Sequence, residues 1–564
     1  MSDPRRSEDR LPVWVRKRDG RLEPFDSEKI NRTLFAALES LGRPDAFVAR
    51  ELTDGILHFL AAESEGPTIS AGDLEEWVVK IVRELGHPDL AAAYAERARH
   101  RDRQTQGDDF RVSSLSSPLA KNLKAWLHSI REPERIERLA AGSLLEDFTL
   151  HHVLSRHVTA AATEGLLHLG GLARPRELSA ALCRLFSPSE ALPSEGVDPF
   201  GALRRIRRYV GDTVAFAAPE RDLALMDVRI GEIPRLVRDL HAAAGLLGLN
   251  VVLNLGHDLD TAEEEPSRET LFVEQDWGQS TDRLRGFREV LVEEVLALED
   301  GSTIGLDWHL CETDFQSTEG RRRLGNLLRA ALRGRPIRFV CRRGSKQTPL
   351  GDGLHRSQPA VLLWVGLDLE ALRRRIGKPA TPEDLALRTL SLARLAASAG
   401  VQKRDFIRNC GQGDWPPFLL DRAAVGLRLH GLDHVLEELH GPQPFTKADA
   451  WAFAVPFAKH LTESLRQESR RLPLPVVFDD QFCTDLGSLE ATDQLGQTAR
   501  QLGKWHEALG SGTWRITLPQ KAPDGDKLVN TLSALWKRPG ICRIAFTASA
   551  PAPVVASDLW REGA

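Results

Sequence analysis

The first hundred residues carry two hydrophobic periods, and each predicts a different kind of element. Short β-like runs at 12–15 and 22–25 flank Asp19-Gly20, which has turn chemistry, so a hairpin is predicted over residues 11–25. A helix then follows, which Asp26 or Ser27 can cap. Its apolar face is formed by residues at three- and four-residue steps, namely Ile30, Leu34, Ala37, Leu38 and Leu41. The same spacing predicts further helices at 45–63, 70–85 and 87–103.

The pattern then divides the rest of the chain into three stretches. A polar segment at 104–114 predicts an exposed linker after a compact unit at 12–103. Helical spacing predicts a helical region over 115–248, with helices at 150–170, 176–186, 199–218 and 232–248. From 249 to 564 short strands alternate with helices, which is typical of an α/β sheet or barrel. The predicted strands lie at 250–255, 303–310, 337–340, 360–366, 475–478, 513–518 and 541–546, and the predicted helices at 285–298, 320–333, 367–376, 382–399, 447–467, 487–508 and 525–536.

Composition narrows the class of protein. The chain has 564 residues, of which 42% are hydrophobic and 27% charged, with a formal net charge of −5. This balance predicts a globular protein and offers no global reason to expect nucleic acid or a membrane surface as a partner. No apolar run of about 20 residues predicts a membrane span, and the charged N-terminus does not resemble a signal peptide, so we expect a cytoplasmic protein. Six scattered cysteines without a C-x-x-C pair argue against a disulfide framework or a zinc ribbon.

The sharpest chemical signal is a group of cations near the first turn. Arg16, Lys17 and Arg18 lie where the first strand enters the turn, and Lys29 lies one turn into the following helix. Charge-assisted donors so close together suit a polyphosphate, and the amides at the helix start favour the same anion. The alternative interpretation is a solvated cationic edge, since runs of charge usually lie on the surface.

Three separated strings resemble the ATP-cone, a small nucleotide-binding module at the N-terminus of many ribonucleotide reductases and in a bacterial repressor of their genes. The strings are Val15-Arg-Lys-Arg-Asp-Gly-Arg-Leu-Glu-Pro-Phe-Asp-Ser-Glu-Lys-Ile, Ile69-Ser-Ala-Gly-Asp-Leu-Glu-Glu-Trp-Val and Leu85-Gly-His-Pro-Asp-Leu-Ala-Ala-Ala-Tyr-Ala-Glu-Arg-Ala. Their order, spacing and turn chemistry agree over residues 12–103.

The resemblance implies a ligand and its contacts. ATP or dATP is expected as an allosteric ligand, with no metal beyond the magnesium that accompanies it. Lys17 and Arg18 would contact phosphates, residues 23–29 would wrap the nucleotide, and Lys29 would reach phosphate as well. Many cones carry threonine where this chain has Ser70 and Ala71. The expected nucleotide-binding residues are Arg16, Lys17, Arg18, Glu23, Pro24, Phe25, Asp26, Ser27, Glu28, Lys29 and Ser70. Association of cones implies a homo-oligomer.

The larger region resembles the barrel of anaerobic, glycyl-radical (class III) ribonucleotide reductases. Similar segments follow one another at 360–372, in the helix past Lys403, and at 424–441. The radical-storing glycine in an Arg-x-Cys-Gly-Tyr-like loop is missing, because neither Gly540 nor Gly563 fits it, and so are the C-x-x-C pairs that support that loop. The sequence therefore indicates a relative of these reductases that lacks the radical-storing glycine, and no catalytic residue is predicted.

Other candidate chemistry is less specific. Asp307, His309 and Cys311 share one face of a predicted strand, a spacing that suits two metal ligands but is more typical of structural residues. The segment 257–260 and the pair Asp479-Asp480 follow predicted strands, where polar residues are common. No phosphate-binding P-loop, nucleophile elbow, zinc-protease or dinucleotide fingerprint is present.

Three functions remain open at this point. The first is an allosteric, nucleotide-sensing protein related to ribonucleotide reductase, which is not expected to be a radical enzyme. The second is an active, divergent anaerobic ribonucleoside-triphosphate reductase with Cys311, Cys410 or Cys483 as the thiyl residue. The third is a cone-containing transcriptional regulator, which the absence of a cysteine ribbon before the cone disfavours.

Overall fold

The computed structural model describes residues 11–17, 20–63, 66–100, 133–185, 198–225, 228–256, 281–299, 302–341, 349–377, 381–410, 420–468, 474–485, 492–518 and 524–548. The chain divides into two compact units. Unit 1 comprises Met1–His168 with Arg388–Lys403, and unit 2 comprises Leu169–Leu387 with Arg404–Ala564. Across the described ranges, no helix combines the length and apolar character that crossing a bilayer requires.

Unit 1 begins with the predicted hairpin and helices, which are confirmed. β1 (Trp14–Arg16) pairs antiparallel with β2 (Leu22–Pro24) and parallel with a third short strand, β3 (Thr68–Ser70). The helices are α1 (Ser27–Ser40), α2 (Ala46–Glu63), α3 (Ala71–Glu84) and α4 (Pro88–His100). Helix α1 packs on α2 and α4 through the predicted apolar face, where Ile30, Leu34, Ala37 and Leu38 are buried.

The predicted helix over 150–170 is wrong as a single element. The chain instead forms α5 (Pro133–Phe148), a π-helical turn (Thr149–Val153) and α6 (Arg156–Thr163), followed by β4 (Leu167–Leu169). The break comes at Leu154, whose backbone is extended. Gly165, just after the end of α6, has φ of 75°. A glycine tolerates this left-handed conformation where other residues are strained.

Unit 2 is built on one large mixed sheet. Its strands are β5 (Leu178–Cys183), β6 (Val210–Phe216), β7 (Asn250–Leu255), β8 (Ile304–Leu310), β9 (Ile337–Cys341), β10 (Ala360–Asp368), β11 (Ala423–His430), β12 (Val476–Phe478), β13 (Gln481–Asp485), β14 (Thr513–Leu518) and β15 (Arg543–Ala548). They follow the order β12-β11-β10-β5-β6-β7-β8-β9-β15-β14-β13. Neighbours are parallel except at β5/β10 and β9/β15, so five parallel strands, β5 to β9, are flanked on each side by three parallel strands that run in the opposite direction.

Helices connect the parallel strands, as the alternating pattern predicted. They are α7 (Pro199–Ile206), α8 (Pro219–Leu225), α9 (Ile233–Leu247), α10 (Thr281–Ala297), α11 (Glu312–Gln316), α12 (Thr318–Leu332), α13 (Leu369–Ile376), α14 (Pro382–Cys410), α15 (Leu432–His440), α16 (Ala448–Glu468), α17 (Thr492–Leu509) and α18 (Gly525–Trp536). Helix α14 is continuous, although its middle belongs to unit 1 and both of its ends to unit 2. A mixed α/β fold is therefore confirmed.

Two predicted helices of the region before residue 249 are wrong. Residues 176–186 contain strand β5, and the second half of 199–218 forms β6, so strands of the large sheet lie well before residue 249. Five of the six residues of β5 are buried, as in a strand that is covered on both faces. Such a strand is a continuous apolar run without period-2 alternation, which periodicity cannot distinguish from a buried helix.

Candidate functional site

The three-stranded sheet of unit 1 brings separate parts of the N-terminal sequence together. Arg16, the last residue of β1, lies opposite Leu22 of β2 and Ser70 of β3. Helix α3 begins directly after Ser70, whose hydroxyl oxygen accepts a hydrogen bond from the Asp73 N–H at 3.0 Å. The N-terminus of a helix carries a partial positive charge, so the Arg16 end of the sheet favours an anion.

Two lysines converge on one carboxylate of this sheet. The Oε2 atom of Glu23 lies 3.3 Å from the Lys17 Nζ atom and 3.1 Å from the Lys29 Nζ atom. All three side chains are partly exposed, with 38–50% of their side-chain surface accessible. Hydrogen bonds from Lys29 and then Lys17 lower the pKa of Glu23. Cations from the turn and from the helix therefore meet at a single, solvent-accessible point.

The other expected residues surround this point in different ways. Asp26 caps α1 by accepting a hydrogen bond from the Glu28 N–H at 3.0 Å, and Ser27 is the first helical residue. Pro24 ends β2, and the Phe25 N–H donates to the Val13 carbonyl at 2.9 Å. Arg16 is exposed, whereas Arg18 lies outside the described residues.

Glu28 points into a buried cluster instead of toward the lysines. Its carboxylate forms an ion pair with Arg50 of α2, and its Oε2 atom lies 3.5 Å from His157 Nε2 of α6. Arg50 and His157 are almost fully buried. Burial raises the pKa of Glu28, but the charge of Arg50 and the hydrogen bond with His157 outweigh it and hold that pKa well below its usual range.

The cluster continues onto α14 through a polar stripe that sequence reasoning missed. The stripe consists of Arg388, Ser391, Arg394, Ser398 and Gln402, at steps of three and four residues in the mostly apolar middle of the helix. Arg388 pairs with Glu51 and Arg394 with Asp54, while Ser398 Oγ lies 3.2 Å from Glu28 Oε2. Polar residues at helical spacing in a mostly apolar segment were the signal available, but their partners on other elements lie 247 to 370 positions away in the chain.

In unit 2 the segment 349–354 between β9 and β10 is held by several strands. Arg543 of β15 donates to the Gly351 carbonyl, Asn254 of β7 donates to the Leu350 carbonyl at 3.3 Å, and Arg338 of β9 pairs with Asp352. Gly353 has φ of 63°, and a Cβ atom there would lie 2.7 Å from the indole of Trp364. Glycine is therefore required at this close approach.

The acidic pairs and metal-ligand candidates of unit 2 diverge. Asp307 accepts from Arg338 Nε at 2.6 Å, His309 Nε2 lies 3.0 Å from Asn254 Oδ1, and Cys311 Sγ lies 3.0 Å from Thr313 Oγ1. Asp479 pairs with Arg543, whereas Asp480 accepts from Trp505 Nε1 of α17 at 2.8 Å, as expected for adjacent residues that face opposite ways. Within the described ranges no group of three or more His, Cys, Asp or Glu could hold a metal ion. The segment 257–260 lies outside the described residues.

The three candidate thiyl cysteines lie on three different elements. Cys311 precedes α11, Cys410 is exposed at the end of α14, and Cys483 is exposed on β13. The side chains that hold the segment 349–354 through polar contacts, Asn254, Arg338 and Arg543, come from other positions. Gly540, the inner candidate for a radical glycine, packs against the backbone of Gly503 on α17, while Gly563 lies outside the described residues.

Comparison with known proteins bears on unit 1. The family model described as ATP cone domain matches residues 13–103. This match spans the three-stranded sheet, the converging lysines and the four helices that follow, and it agrees with the predicted extent of 12–103. No curated protein matches the chain. Residues 13–103 are therefore an ATP cone domain, a module that binds ATP or dATP as an allosteric ligand.

Proposed function

We propose that the cone binds ATP or dATP, with its accompanying magnesium, and that the nucleotide regulates an α/β unit related to ribonucleotide reductase that performs no radical catalysis. The observation that carries the proposal is the convergence of Lys17 and Lys29 on one oxygen of Glu23. Exposed ion pairs contribute little to stability because water screens them, so a phosphate group can replace this carboxylate at small cost. Helix α3 begins directly after Ser70, the partner of Arg16 in the sheet, and its N-terminus adds backbone N–H donors for the same phosphate chain.

The proposed relation to the reductase barrel is supported by the two edge strands of the large sheet. Its outermost strands, β12 and β13, are consecutive in the chain and separated only by Asp479 and Asp480. In a flat sheet β11 and β15, seven strand steps apart, would be separated by about 34 Å. Yet Asp479 pairs with Arg543 of β15 and lies 3.4 Å from Arg428 of β11. These contacts favour a sheet that curls until its edges meet.

The proposed absence of radical catalysis is supported by the sequence, which lacks an Arg-x-Cys-Gly-Tyr-like loop and the C-x-x-C pairs that support such a loop. A thiyl mechanism needs a cysteine that faces a radical source. We therefore expect the full chain not to reduce nucleoside di- or triphosphates with an anaerobic activating partner, and turnover that depends on Cys311, Cys410 or Cys483 would contradict this.

Nucleotide binding is tested by thermal unfolding of the full chain. Saturating ATP or dATP is expected to raise the stability of the cone, by about 2.7 kcal/mol at a hundred times the Kd, because the ligand binds only the folded state. Lys17→Ala and Lys29→Ala are each expected to abolish most of this rise at the same nucleotide concentration. Lys80→Ala is the matched control, since Lys80 lies on α3 over the Trp77 ring at 4.8 Å. An unchanged rise in both test variants would show that the phosphates bind elsewhere.

The sensing part is tested by the assembly state. We propose that the chain forms a homo-oligomer through the cone and that nucleotide shifts this association. Light scattering after size exclusion is expected to give different masses with ATP, with dATP and without nucleotide. Equal masses under the three conditions, together with saturable binding, would leave the cone as a nucleotide-binding module and remove its role in assembly.

A further inference from the structure

We propose that Glu28 and the polar stripe of α14 transmit occupancy of the nucleotide site to α14, an inference that rests on the proposed function of the cone. Glu28 directly precedes Lys29, and both lie in the first turn of α1. Successive residues of a helix point in different directions, so one turn presents Lys29 to the proposed phosphates and Glu28 to the buried cluster. A displacement of this turn of α1 therefore moves Lys29 and Glu28 together.

The cluster joins α1 and α2 to α14 through charged side chains that are partly or fully buried. Arg50 lies between Glu28 and Asp54, with its Nε atom 3.4 Å from Asp54 Oδ1. The Ser391 hydroxyl lies 2.8 Å from Glu51 and 3.0 Å from Asp54, and it is 2% exposed. Because ion pairs in such surroundings are weakly screened and depend on geometry, a small shift of α1 changes their energy more than it would at the surface.

The stripe also engages α6 through Gln402. Its side-chain amide accepts from the Ser155 N–H at 2.7 Å and donates to the Ser155 and Ser398 hydroxyls, each at 3.0 Å. Ser398 therefore contacts both Glu28 of α1 and Gln402, and Gln402 in turn is hydrogen-bonded to Ser155 at the start of α6. Since α14 is one continuous helix whose two ends belong to unit 2, a change in the stability of its middle also reaches those ends along the covalent chain.

Hydrogen exchange of the full chain, read by mass spectrometry on peptides from Arg388–Lys403, tests the proposal with ATP as the probe. ATP is expected to slow exchange there by about fivefold or more, the scale of an allosteric coupling. Ser398→Ala, which removes the α14 hydroxyl that contacts Glu28, is expected to bind ATP but to lose most of this slowing. Ser391→Ala/Ser398→Ala, which keeps every cone charge and places good helix formers in α14, is expected to do the same.

Glu39→Gln is the matched control. Glu39 lies on the same helix and pairs with Arg156 of α6 at 3.1 Å, but it is outside the cluster, so its variant is expected to behave like the wild type. Slowing in the wild type and in Glu39→Gln, and its loss in the two test variants, supports the coupling. Saturable ATP binding without any slowing in the wild type, or slowing that survives Ser398→Ala, overturns the coupling and leaves the nucleotide site intact. A full chain that binds no ATP overturns both proposals.

Discussion

Replacing Arg543 by methionine is expected to lower the free energy of unfolding of unit 2 by about 3–5 kcal/mol. Arg543 is fully buried, and its guanidinium pairs with Asp479, which is 1% exposed, while also donating to the Gly351 carbonyl. The variant would leave the Asp479 charge inside the protein with weaker compensation, because Arg428 lies at 3.4 Å and is partly exposed. It would also release the segment 349–354 from one of its anchors.

Chemical denaturation followed by tryptophan fluorescence measures this loss, since Trp364, Trp505 and Trp514 are buried in unit 2. The double variant Asp479→Leu/Arg543→Met is expected to be less destabilised than Arg543→Met, because it leaves no unpaired carboxylate. Arg466→Met serves as a control, since the Arg466–Glu463 pair is exposed and is expected to contribute at most about 1 kcal/mol. A loss for Arg543→Met no larger than for Arg466→Met would contradict the buried-pair account.

Lowering the pH from 6.5 toward 3 is expected to destabilise unit 2 through His506. Burial, and then the charge of Arg543, lower the pKa of His506 from 6.5 to about 3. The folded protein therefore binds this proton less readily than the unfolded chain, and stability falls as the pH drops through this window. At 1.36 kcal/mol for each pH unit, the loss reaches about 2 kcal/mol at pH 5.

A nearby carboxyl group acts with the opposite sign. Burial raises the pKa of Asp480 to about 6, so its contribution is present at low pH and is lost as the pH rises through 6. Its partner Trp505 directly precedes His506 on α17. The two groups therefore offset each other between about pH 4 and 6, and only single variants separate them.

Unfolding free energies measured from pH 4 to 8 test this pair. His506→Gln, whose amide oxygen can still accept from the Cys542 N–H as the ring does at 3.3 Å, is expected to gain stability relative to the wild type as the pH falls from 6 to 4, because only the Asp480 contribution remains. Asp480→Asn is expected to lose stability relative to the wild type over the same range, because only the His506 contribution remains. His460→Gln, at an exposed position on α16 paired with Glu383 at 2.6 Å, should follow the wild type. Wild-type profiles for both buried-site variants would show that neither group titrates as argued.

Local signals were sufficient for the cone. The hairpin, the Asp26 cap and the apolar face of α1 were predicted because turn chemistry, capping and helical spacing all act between residues a few positions apart. The cations were predicted as a group, but the meeting of Lys17 and Lys29 at one Glu23 oxygen depends on where the tertiary structure places α1 relative to the hairpin. The parallel pairing of β1 with β3, which sets Arg16 beside Ser70, had no local signal.

For unit 2 the sequence determined the alternation of strands and helices, and in β5 it failed because a strand buried on both faces has no alternation. Only the tertiary structure decided which polar and charged side chains meet. Glu28 and Ser398 are 370 positions apart, and Asp479 and Arg543 are 64 apart. A charged residue has the same local pattern whether it is solvated or buried with a partner, so its role follows from the packing of distant segments, which periodicity does not encode.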